Sequence, residues 1–92
     1  MIDSVGITTH RTAITVTSTA QAITVTVGKR TIEIQNLGTK NIYYGGSGVT
    51  SLNGIRVFPS QTKVFANVKD TFSIYLVTAS GDTADTRIVE YD

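Results

Sequence analysis

The sequence predicts an all-β domain: a small antiparallel β-sandwich, jelly-roll-like, with seven or eight strands. Threonine is the commonest residue, followed by valine and isoleucine. These β-branched types lose rotamer freedom in helices and pack well on a pleated surface. Apolar and polar residues alternate in short runs, the period of a strand with one face buried. Glycine and asparagine punctuate those runs at roughly even spacing, and no window holds a helical period, which is the pattern of a sandwich or small barrel.

Residues 1–12 read as an N-terminal arm, with a short strand at Val5–Thr8, and residues 13–92 as a single domain. Residues 13–17 (AITVT) and 22–27 (AITVTV) alternate cleanly and suggest a hairpin across Ser18–Gln21, with Ile14, Val16, Ile23, Val25 and Val27 inward. Arg30–Asn36 is a third alternation, with Ile32 and Ile34 inward. Asn36-Leu37-Gly38-Thr39 supplies a turn, because Asn and Gly tolerate positive φ. Ile42 and Tyr44 share the next inward face, and Tyr43 points the other way.

Gly45-Gly46-Ser47-Gly48 makes a glycine-rich loop, followed by a short mixed piece, Val49–Leu52, and a turn at Asn53-Gly54. Ile55–Phe58 runs into Pro59, which cannot donate to a ladder and marks a strand end. In residues 62–66 Val64 is read inward and Phe65 outward. Residues 71–78 (TFSIYLVT) are apolar on both faces, with Phe72, Ile74 and Leu76 inward and Tyr75 and Val77 opposite. Ala84–Tyr91 closes the sheet, with Ile88 inward and Arg87, Val89 and Tyr91 outward.

The totals argue against several function classes. Net charge is +1 and only 16% of residues are charged, with no basic run, so nucleic-acid binding has little electrostatic support. No apolar run approaches the ~18 residues of a membrane span, so a soluble protein without membrane contact is expected. The first residues lack the charged start and apolar core of a secretory signal. Cysteine is absent, which removes disulfides and thiol chemistry. A chain of 92 residues without such staples has a modest core, and domains of that kind often gain stability by oligomerising.

No catalytic constellation stands out, so no enzyme and no cofactor is expected. His10 is the sole histidine and lies on the arm, far from the glycine loop; metal sites need several convergent ligands. Ser47 lacks the strand-to-helix setting of a nucleophile elbow. Neither Gly28-Lys29 nor Gly45–Gly48 precedes a helix, as a phosphate-binding loop requires. Asp82 and Asp85 bracket a turn, short of the six to eight oxygens that calcium takes. Tyr43, with Gly45, Gly46, Ser47 and Gly48, forms a candidate partner-facing loop. Phe65, Tyr75, Val77, Val89 and Tyr91 oppose the inward set and form a candidate subunit interface, since an exposed apolar patch marks a contact. The alternative is that both faces are covered within one chain.

Several short motifs follow one another in a familiar order: R-x-I-x-I-Q-N-L-G from Arg30, I-Y-Y-G-G-S-G-V-T from Ile42, N-G-I from Asn53, and Ile74-Tyr75 leading through Ala79-Ser80-Gly81 and Ala84-Asp85 to Arg87-Ile88-Val89-Glu90. This succession, over about residues 28–91, resembles small virion-associated β proteins of tailed bacteriophages. The resemblance implies a structural role in the virion, a capsid decoration (cement) protein that binds and stabilises the head shell, or a head- or tail-associated accessory. It implies no cofactor and no catalytic residue. Where the pattern has glycine after proline, this chain has Pro59-Ser60, and where valine is commoner before the arginine it has Thr86. Repeated subunits on a symmetric shell tend to form closed rings, so a homo-oligomer, a trimer first, is expected alongside contacts to capsid or other virion proteins. The rival expectation is a carbohydrate- or receptor-binding module of a phage tail or fibre, using Tyr43 and the glycine loop.

Overall fold

The computed structural model describes residues 10–91. Their eight strands are β1 (His10–Val16), β2 (Gln21–Thr24), β3 (Thr31–Asn36), β4 (Ile42–Gly45), β5 (Ile55–Val57), β6 (Thr62–Ala66), β7 (Ser73–Val77) and β8 (Ala84–Tyr91). They form two four-stranded sheets, ordered β1-β8-β3-β6 and β2-β7-β4-β5, with every pairing antiparallel. No helix occurs among the described residues. Consecutive strands largely change sheet, and the order is that of a jelly roll, two Greek keys folded into a sandwich.

The all-β expectation holds, and the path of the first two strands differs from it. The segments at 13–17 and 22–27 do not make a hairpin. β1 runs along β8 for seven residue pairs, and β2 runs along β7 for four. Thr17 already accepts the Thr78 amide beyond the end of β7, so the chain changes sheet within a short link. Alternation specifies which face a strand buries and leaves its partner open. β1 also begins at His10, so three residues assigned to the arm belong to the sandwich. The strand expected at Val5–Thr8 lies outside the described residues.

The core lies between the sheets. Val16, Ile32, Ile34, Ile42 and Leu76 are fully buried, and Val25, Val57, Ile74 and Ile88 nearly so. Ile14, Ile23, Tyr44, Phe65 and Phe72 pack against them. Tyr44 meets Phe65 edge-on at 5.2 Å between ring centroids, and Phe65 meets Phe72 at 5.4 Å. Burying a side chain of this size contributes about 1.5–3 kcal/mol.

Two inward assignments are corrected. Val64 is 47% exposed on the outer face, and its neighbour Phe65 takes the inner one, because the bulkier ring completes the aromatic group while either parity satisfies the alternation. Lys63 shares the inner row but lies on an edge strand, with its ammonium 5.4 Å from the Phe65 ring centroid. Val27 is also exposed, because β2 ends at Thr24 and the chain turns at Val27-Gly28.

Asn36 explains why a Q-N-L-G sequence works at the end of β3. Its side chain is fully buried. Its Nδ2 donates to the carbonyls of Lys40 at 2.9 Å and Val57 at 3.0 Å, and its Oδ1 accepts from the Gly38 amide at 3.0 Å. Gly38 passes so close to β8 that a β-carbon there would sit 2.9 Å from Ala84 Cα.

Candidate functional site

The glycine-rich loop doubles back over the outer face of the second sheet. Its turn and side-chain hydrogen bonds all run within residues 46–54. Val49 donates to the Gly46 carbonyl, and Asn53 and Gly54 both donate to the Thr50 carbonyl. The Asn53 side chain accepts from the Thr50 amide at 2.7 Å and donates to the Gly48 carbonyl, and the Leu52 amide donates to Thr50 Oγ1. Val49–Leu52, a short mixed piece by sequence, is thus part of a compact looped unit.

That unit presses Val49 inward, leaving it 6% exposed. Two of the glycines make room for it. A β-carbon on Gly54 would stand 2.7 Å from Val49 Cγ2 and 2.8 Å from Tyr43 Cβ, and one on Gly45 would stand 3.0 Å from the same Cγ2. Gly46 and Gly48 face open space. The loop therefore covers apolar surface that the alternation places on the outside of the sheet.

Sheet register sorts the residues singled out from the sequence. Tyr43 and Val77 are paired across β4 and β7, and Tyr75 pairs with Gly45. These lie on the outer face of the second sheet, where Val77 is only 4% exposed beside the loop. A cleft of about 250 Å³ runs along it, lined by Ser18, Val49, Thr50, Ser51, Val77 and Thr78. Val89 and Tyr91 lie on the outer face of the first sheet, on the other side of the molecule. Val89 is 9% exposed, in register with Glu33, and the Tyr91 hydroxyl donates to the Glu33 carboxylate. Phe65 is on neither outer face, since it packs into the core. The five residues grouped as one candidate contact thus fall on three separate surfaces, and Val77 is covered by its own chain.

Titratable groups are dispersed. His10 starts β1 in the first sheet, whereas Ser47 rides the loop over the second. Asp85 bonds Arg87 at 2.5 Å. Glu90, only 5% exposed, accepts both the amide and the hydroxyl of Thr26, tying the β2–β3 connection to β8. Among the described residues no three His, Cys, Asp or Glu side chains gather as a metal site would require.

The sequence reading missed the lateral edge made by β5 and β6. Ile55 (60% exposed), Phe58 (49%) and Val64 flank it.

No protein-family model matches the sequence, and no curated protein matches it. Among solved structures, the chain is similar to a de novo designed double-stranded beta-helix determined in solution by NMR. The two share 24% identity with a TM-score of 0.62, over 90% of this chain and 99% of the designed one. At that identity the likeness concerns the fold, and a double-stranded β-helix is the jelly-roll path seen as a wound ribbon.

Proposed function

We propose that this chain is a non-enzymatic structural protein of a phage virion, a capsid decoration protein that binds and stabilises the head shell and works as a homo-oligomer. The observation that carries the reading is the distribution of apolar surface. The space between the sheets is filled by the chain's own side chains, while Val27, Leu37, Leu52, Ile55, Phe58 and Val64 remain about half exposed or more. Large apolar side chains left outside a filled sandwich favour work done by surfaces against other proteins. The order of motifs from Arg30 to Glu90 supports the virion setting.

The test is direct. Purified protein is mixed with empty head shells of the phage that encodes it, and the shells are sedimented and imaged. Stoichiometric co-sedimentation at symmetric sites, with shells more resistant to heat, is the expected result. Shells that stay bare overturn the reading.

The cleft beside Val77 favours a second reading. Its hydroxyl-bearing wall of Ser18, Thr50, Ser51 and Thr78 over an apolar floor suits a sugar ring. Binding on a glycan array, lost on Thr50→Val, would move the assignment to a tail or fibre module.

A further inference from the structure

From Ile34 to Lys69 the chain carries Lys40, Arg56, Lys63 and Lys69 and not one Asp or Glu. This stretch folds as the end of β3, all of β4, β5 and β6, and their turns. The jelly roll stacks β5 and β6 as neighbouring edge strands of the two sheets, so their cations collect along one side of the molecule. The Lys40 backbone lies beside this edge, because its carbonyl and that of Val57 accept from the same Asn36 amide group.

Charge is satisfied unevenly. Glu33 accepts from Tyr91, Asp70 from the Gly28 amide, Asp85 from Arg87 and Glu90 from Thr26. These carboxylates are used within the chain. Arg56 and Lys63 instead lie against rings, with the Arg56 guanidinium 4.7 Å from the Phe58 centroid. No ion pair joins Lys40, Arg56 or Lys63 to a carboxylate among the described residues.

We propose that the β5–β6 edge is a docking surface for an acidic, extended segment of another protein, in which carboxylates alternate with aliphatic side chains. The carboxylates would meet Lys40, Arg56 and Lys63, and the aliphatic groups would cover Ile55 and Phe58; Val64 faces out from the opposite sheet and is not part of the surface. An edge strand also offers unpaired backbone groups to such a segment. Edge protection by itself accounts for Lys63 and Pro59 but not for the exposed Ile55 and Phe58 beside them, which a guarded edge would replace with polar side chains. Nucleic acid fits less well, since Ile55 and Phe58 offer nothing to a phosphate backbone. The inference rests on charge and exposure alone, so bare shells in the sedimentation experiment leave it standing.

The experiment titrates the isotope-labelled protein with an alternating Glu-Val peptide and follows amide resonances. A Lys-Val peptide and a single-stranded oligonucleotide serve as comparisons. Expected are shifts confined to Lys40, its immediate neighbours and residues 55–66, weakening as salt rises. The triple variant Lys40→Glu/Arg56→Glu/Lys63→Glu, with spectral dispersion confirming its fold, weakens binding about tenfold or more, while Lys69→Glu, in the β6–β7 turn, changes it little. Absence of shifts at saturating peptide, shifts elsewhere on the sandwich, or equal or tighter binding of the Lys-Val peptide or oligonucleotide overturns the proposal.

Discussion

Val49 rests against Gly54 so closely that Cγ2 lies 2.7 Å from where a β-carbon on residue 54 would stand. The Thr50 carbonyl lies 3.0 Å from the same point, so the methyl group has nowhere to go without moving backbone. Gly54→Ala is therefore expected to destabilise the protein by about 1–3 kcal/mol, the usual cost of overpacking. Val49→Ala removes the nearest obstacle, so the double variant loses less than the two single costs added together. Urea unfolding of the four proteins in a double-mutant cycle measures that coupling.

Val77→Asp separates two accounts of the outer faces. With Val77 covered by the chain's own loop, the substitution buries an unpaired charge and unfolds the monomer. Val64→Asp, on the exposed β6 position, leaves the β signature in circular dichroism intact. A folded Val77→Asp protein with altered light scattering would instead place Val77 at a contact between subunits.

Glu90→Ala leaves the Thr26 amide and hydroxyl without their acceptor. A loss of about 1–3 kcal/mol is expected, because a part-buried donor then forgoes water without compensation. Hydrogen exchange of the Thr26 amide reports the same event locally, rising well above that of Val25, whose amide keeps its bond to the Phe72 carbonyl.

The Tyr91 phenol is held above its ordinary value. Its hydrogen bond to Glu33 is the main cause, with burial and the nearby negative charge adding to it. A group that binds its proton more tightly when folded contributes stability in full below the unfolded value, about 10. That contribution disappears as pH rises through the folded value. Alkaline titration of the phenolate absorbance should show a late step from Tyr91 in the native protein, absent in Tyr91→Phe and shifted earlier in Glu33→Gln. The stability of wild type should fall above pH ~10 more steeply than that of Tyr91→Phe.

Ser60 adopts φ of 68°, in the left-handed region. A left-handed conformation costs a non-glycine residue about 1–2 kcal/mol, and the added freedom of glycine in the unfolded chain offsets part of the relief. Ser60→Gly is expected to raise stability by roughly 0.5–1 kcal/mol in urea unfolding.

The faces of most strands were legible because the alternation of Ile32 and Ile34, or of Ile74 and Leu76, admits one parity. Val64 and Phe65 show where it fails: both parities bury an apolar group, and only the position of Tyr44 and Phe72 in the opposite sheet decides. The partners of β1 and β2 lie roughly fifty to eighty residues away, beyond what a local pattern can express. The glycine loop was legible as a loop, but the reason for Gly54 is a valine five residues earlier that folds back over the sheet. The β5–β6 surface depends on which strands become edges, a property of topology and not of any window of sequence.

Leu52 stands 96% exposed at the tip of a loop that keeps its hydrogen bonds to itself. Such a segment is a natural graft point. A foreign epitope or affinity tag spliced beside Leu52 would project outward without taking a ladder bond from either sheet. Doubling the length of a flexible loop adds only about 0.6 kcal/mol of closure entropy. Provided Val49 and Gly54 are retained as the fastening, the sandwich becomes a small cysteine-free carrier whose cargo is displayed at a fixed place.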